Sequence, residues 1–152
     1  MRSITSLTTK LQADFPAFTF ALSDQFRWSP DEKVISIDQT SDDSATLLHE
    51  LAHAALGHSH FSKDIELIEM ERDAWEYASK TLGPGYNVAI DEDVVQGALD
   101  SYRDWLHARS TCPECSATGI ETKKNNYKCL ACTSTWRVND ARVCALRRYK
   151  LS

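Results

Sequence analysis

Apolar positions recur at two different periods along the first two thirds of the chain. In residues 4–13, Leu7 and Leu11 stand four apart, the spacing of one helix face, and Pro16 closes the segment. Residues 18–22, 26–28 and 33–38 are short and rich in aromatic and β-branched side chains. They read as three strands, the last two separated by the turn signal Ser29-Pro30-Asp31-Glu32. Ser41-Asp42-Asp43-Ser44 then offers N-cap residues, and the helical period returns, with Leu48, Leu51, Ala52 and Ala55 as the expected core-facing stripe. That helix should end near Leu56, with Gly57 as its stop. A second helix is expected over about residues 64–82, stopped by Gly83-Pro84-Gly85. A third opens at Asp91-Glu92-Asp93 and reaches about His107. Strands followed by helices indicate an α+β fold.

Charge and cysteine mark a boundary. The net charge of −5 combines 9 Lys/Arg against 19 Asp/Glu in residues 1–110 with 8 against 3 in residues 111–152. All five cysteines lie in that basic tail. The expected organisation is a domain over 1–108 and a small appendage over 109–152. No stretch approaches the 18 or more apolar residues of a membrane span, and the N-terminus has no signal-peptide pattern. A cytoplasmic protein without membrane association is the expectation. In that compartment cysteines serve as metal ligands or free thiols more often than as disulfides.

The chemistry concentrates at His49-Glu50-Leu51-Ala52-His53. Histidines four apart share one helix face and can share one tetrahedral ion. Glu50 is rotated about 100° from His49, where it can reach a water on the ion without ligating it. Zinc brings the pKa of such a water towards about 7, and a carboxylate can then take its proton. Glu50 is thus the expected general base, and the ion a catalytic zinc.

A catalytic zinc site needs a third protein ligand. On the second helix, Glu69, Arg72, Asp73, Glu76 and Lys80 share a polar face, whereas Glu71 falls among Leu67, Ile68, Ala74, Trp75 and Ala78. A carboxylate within an apolar stripe is costly unless paired, and a metal is a natural partner. Glu71 is favoured and Glu69 is the alternative. Asp73 is a candidate for orienting a ligating histidine. In the pattern HExxHxxGxxH the third histidine would fall at Ser59, so His58 and His60 flank the required position and stand as further alternatives.

In the tail, Cys112-Pro-Glu-Cys115 and Cys129-Leu-Ala-Cys132 are separated by 13 residues, close to the spacing of a zinc ribbon. Four thiolates close a tetrahedron, so this second zinc should be structural. Tyr127, Trp136 and Val138 offer β-type packing, and Cys144 reads as a packed residue or free thiol. The basic segment 137–150, with Arg142, Arg147, Arg148, Tyr149 and Lys150, is a possible nucleic-acid contact.

With these residues placed, the chain resembles ImmA/IrrE-type zinc metallopeptidases, which pair HExxH with a downstream helix of the form E-x-E-A-N-x-F-A. Glu71, Ala74, Tyr77 and Ala78 match it, and Asp73 and Trp75 depart from it. The resemblance spans roughly residues 15–82. It implies a zincin-like domain, a short antiparallel sheet plus active-site helices, ahead of the ribbon. It also implies zinc on His49, His53 and Glu71, Glu50 as base, and hydrolysis of a protein or peptide substrate. SprT-like proteases, which also join HExxH to a zinc ribbon, are a weaker resemblance, because their third ligand is a downstream histidine. The strand at 33–38 is expected to pair with an extended substrate. The alternative function is a ribbon protein that binds nucleic acid or a partner, with a weak or non-peptidase metal site.

Overall fold

The computed structural model describes residues 4–139 and 146–151, so Arg142 and Cys144 lie outside the described residues. The fold is α+β: helices α1 (Ile4–Asp14), α2 (Ser44–Ala55), α3 (Asp64–Tyr77) and α4 (Glu92–Ser110), with strands β1 (Thr19–Ser23), β2 (Arg27–Ser29), β3 (Val34–Asp38), β4 (Ile120–Lys123), β5 (Asn126–Lys128), β6 (Thr135–Val138) and β7 (Arg148–Lys150). The chain divides into two compact units, Met1–His60 with Met70–Val95, and Phe61–Glu69 with Gln96–Ser152. The expected boundary at 108/109 falls inside the second unit, which takes in the start of α3 and most of α4.

In the first unit the three strands are ordered β1-β3-β2. β1 runs parallel to β3 and β2 antiparallel to it, so the sheet is mixed rather than antiparallel as expected. The physical reason is burial. β3 carries Ile35 and Ile37, 0% and 2% exposed, and takes the centre, while half-exposed β1 and β2 flank it. β1 lines the whole of β3 and β2 lines Val34–Ser36, so β3 has no full edge free for a substrate, contrary to the expectation for residues 33–38. The outer edge of β1 meets Gln12 of α1, which accepts from Phe20 N at 3.2 Å and donates to Phe18 O at 3.0 Å. Leu7 and Leu11 of α1 are fully buried, as their spacing predicts.

Helix α2 starts where Asp43 accepts from Thr46 N at 3.1 Å, a side-chain cap for an otherwise orphaned donor. Its buried face carries Leu47, Leu48, Leu51, Ala52 and Ala54; Ala55, expected in the stripe, is exposed. Helix α3 is buried along Glu71, Ala74, Trp75 and Ala78. It continues as a π-helical segment, Ala78–Leu82, and a final turn, Gly83–Gly85. Gly83 is required there, because a Cβ would lie 2.6 Å from Val88 O.

In the second unit β4, β5, β6 and β7 form an antiparallel meander. Tyr127 and Trp136 stack at 5.7 Å and are buried with Val138, Cys112 and Cys129. Asp64, 1% exposed, accepts from Arg109 Nε at 2.8 Å and from the Tyr127 hydroxyl. Trp136 Nε1 donates to Arg109 O at 2.9 Å. Arg109→Ala leaves the Asp64 carboxylate buried without its counter-charge, which costs about 3–5 kcal/mol. Hydrogen exchange should report that loss as faster exchange of the β5 and β6 amides, with those of α2 unaffected.

Candidate metal centres

The turn after α2 builds one centre. Gly57 adopts a left-handed φ of 72°, which lets the chain reverse. Gly57 N then donates to Ala54 O at 3.1 Å and His58 N to His53 O at 2.9 Å, the paired bonds of a Schellman cap. The reversal returns the His58 ring to His53, Nδ1 to Nδ1 at 2.9 Å. From the other side, α3 presents Glu71. Its Oε2 lies 2.7 Å from His49 Nε2, its Oε1 lies 3.3 Å from His53 Nε2, and the two Nε2 atoms are 3.1 Å apart. All three residues are buried, each 6% exposed.

These separations suit a metal ion. Nitrogen and oxygen ligands at about 2.0–2.1 Å from a tetrahedral ion stand about 3.3 Å from one another. A positive charge among two imidazole nitrogens and a buried carboxylate would also balance the carboxylate. Protons alone supply part of that charge. Burial works against charge on His49, but the carboxylates of Glu50 and Glu71 outweigh it and hold the imidazole up at about 9. Burial likewise opposes ionisation of Glu71, yet hydrogen bonds from His49 and His53 keep its carboxyl well below the usual range. Three protein donors leave a tetrahedral ion one open position, which is the catalytic rather than the structural pattern.

Glu50 stands beside this cluster. Its Oε2 accepts from Trp28 N of β2 at 2.9 Å, and its Oε1 lies 3.5 Å from His49 Nδ1. Trp28 also donates its indole Nε1 to His58 O at 2.9 Å, so one residue of β2 braces both the carboxylate and the reversal after α2. The Trp75 ring stacks on His49 at 4.2 Å and 11°. Trp75 is 5% exposed, and its indole N–H has no acceptor among the described residues.

The other sequence candidates fall elsewhere. Glu69 is exposed and outside the cluster. Asp73 is exposed and its carboxylate meets Arg72 at 3.5 Å; the group that touches a ligating histidine is His58. His60 is exposed and pairs with Asp31 at 3.1 Å. His58 was weighed as a ligand and sits against the far side of His53 instead. Its signal in the sequence is a histidine placed one residue after the capping glycine, opposite the last histidine of the helix.

The second centre gathers Cys112, Cys115, Cys129 and Cys132. Sγ separations of 3.6 Å (Cys112 to Cys132) and 3.5 Å (Cys115 to Cys129) exclude disulfides. They are near the ~3.8 Å edge of a tetrahedron with metal–sulfur bonds of about 2.3 Å. The two knuckles repeat one geometry. Ser116 N donates to Cys112 O and Thr133 N to Cys129 O, both at 3.0 Å, with left-handed φ at Ser116 and Thr133. Hydrogen bonds from Ser134 bring the Cys132 thiol down to about 6. Both donor sets are compatible with zinc.

No family model, curated protein or solved structure matches the chain. Among the described residues no helix is long and apolar enough to cross a membrane.

The His58 contact predicts a separable effect on metal affinity. His58→Ala should weaken binding at the His49, His53 and Glu71 cluster by about 10- to 100-fold, and Asp73→Ala should leave it unchanged. Chelator competition with both variants reads the difference; equal losses would contradict the assignment of His58 as the orienting group.

Proposed function

We propose that the chain is a zinc-dependent metallopeptidase that hydrolyses peptide bonds of a protein substrate, with Glu50 as general base. The observation that carries the proposal is the convergence of His49, His53 and Glu71 beside a braced Glu50. Two nitrogens, one carboxylate and an adjacent, unligated carboxylate form the donor set of zinc-assisted hydrolysis. The likeness of residues 15–82 to ImmA/IrrE-type peptidases supplies the peptide bond as the target.

His49, His53 and Glu71 would hold a zinc ion, which would supply Lewis acidity and a lowered pKa for bound water. Glu50 receives a proton from the attacking water and returns it to the departing amine. Its anchor on Trp28 N fixes one oxygen, so the other is presented in a constant orientation. Stacking by Trp75 and the contact from His58 hold the two imidazoles in the rotamers that converge on Glu71. In the second unit, the four cysteines would hold a structural zinc that fastens the β4–β7 sheet.

Glu50→Gln keeps the shape of the side chain and removes its basicity. It should retain the metal of the wild type and lower the rate of peptide hydrolysis by about 10²–10⁴-fold. Hydrolysis of an unstructured protein such as casein, followed alongside metal content, tests this. Full activity in the variant would remove Glu50 from the mechanism, and a wild type that binds metal without cleaving would favour the binding-module alternative.

A further inference from the structure

Register decides the composition of each face of the β4–β7 sheet, because directly opposed residues project to the same side. Glu121, Tyr127, Trp136 and Lys150 form one such row, and Val138 opposes Arg148 on the same face. Tyr127, Trp136 and Val138 are buried, so this is the inner face. Arg148 and Lys150 are exposed at its margin, and each has a polar partner within the unit. Arg148 donates to Thr111 O at 2.6 Å, and Lys150 lies 3.0 Å from Glu114.

The outer face has a different character. Asn126, Arg137 and Tyr149 form one row, Ile120, Lys128 and Thr135 the next, and Lys123 opposes Asn126. Neither row contains a carboxylate. Lys123, Lys128 and Arg137 are exposed, and none joins a salt bridge among the described residues. They sit on three successive strands, about 5–10 Å apart. The Arg137 guanidinium lies 4.5 Å over the Tyr149 ring, which is 37% exposed.

We infer that this outer face binds single-stranded nucleic acid, with Lys123, Lys128 and Arg137 on backbone phosphates and a base stacked at the Tyr149–Arg137 pair. Unspent cations around an exposed aromatic ring match phosphate and base together, and the match in charge is supplied by phosphates spaced along a strand. An open four-stranded face can receive splayed bases, whereas a duplex hides its bases in grooves. The contact therefore differs from a basic 137–150 segment acting as a unit. Of the four side chains assigned to the contact, Arg137 and Tyr149 come from that segment, and Arg148 and Lys150 project from the opposite face. The inference does not depend on hydrolysis at the other centre.

Fluorescence anisotropy of the full-length chain with a labelled, mixed-sequence single-stranded oligonucleotide tests it. The double variant K128A/R137A should bind at least about tenfold more weakly and flatten the log–log salt dependence by about 1.4, or ~0.7 per lost phosphate contact. Tyr149→Ala should weaken binding by about 5- to 150-fold, and Tyr149→Phe should restore it. Lys150→Ala should change neither quantity by a comparable amount. Three results would overturn the inference: no binding at low salt, wild-type affinity and salt slope in K128A/R137A, or polyglutamate competing as well as unlabelled oligonucleotide. The last would make the face a site for acidic proteins.

Discussion

A buried carboxylate held 2.7 Å and 3.3 Å from two imidazole nitrogens, themselves 3.1 Å apart, needs its charge balanced at close range. The first unit is organised around meeting that condition. Helix α2 supplies both histidines from one face, and α3 supplies Glu71 from an otherwise apolar stripe. The Gly57 reversal returns His58 to the back of His53, and β2 braces Glu50 through Trp28 N. Without a cation, the Glu71 carboxylate is left to the two imidazoles alone. A divalent ion satisfies all three donors at once, whereas protons satisfy them in part.

Much of this was legible in the chain because it depends on helical periodicity. His49 and His53 share a face by spacing alone. Glu71 stood out because a carboxylate interrupting Ile68, Ala74, Trp75 and Ala78 needs a partner, and Glu69 and Asp73 fell on the exposed face of the same helix. The four cysteines announced themselves by paired spacing. What periodicity does not encode was missed or misread. The parallel pairing of β1 with β3 depends on which strand takes the buried centre, a tertiary outcome. Asp73, a candidate for orienting a histidine, meets Arg72, and the left-handed turn at Gly57 delivers His58 to His53. The stacking of Trp75 on His49 requires two helices to meet, and position 75 gave no sign of it beyond departing from the E-x-E-A-N-x-F-A pattern.

The second unit teaches a related lesson about charge. A basic run read along the sequence treats the whole segment 137–150 as one patch. Strand parity divides it: Arg148 and Lys150 lie on the inner face, beside Thr111 and Glu114, while Arg137 joins Lys123 and Lys128 from other strands. The buried Asp64, Arg109 and Tyr127 network and the cysteine cluster hold the meander that enforces this parity. Its small core, with Tyr127, Trp136 and Val138 as its large members, is of the size that ordinarily needs a metal staple.

The central claim is that His49, His53 and Glu71 form a metal site distinct from the four cysteines. Metal analysis of the purified chain and of Glu71→Ala by mass spectrometry tests it most directly. Two zinc ions per chain are expected in the wild type and one in Glu71→Ala, the remaining ion held by Cys112, Cys115, Cys129 and Cys132. One zinc in the wild type, unchanged by Glu71→Ala, would contradict it.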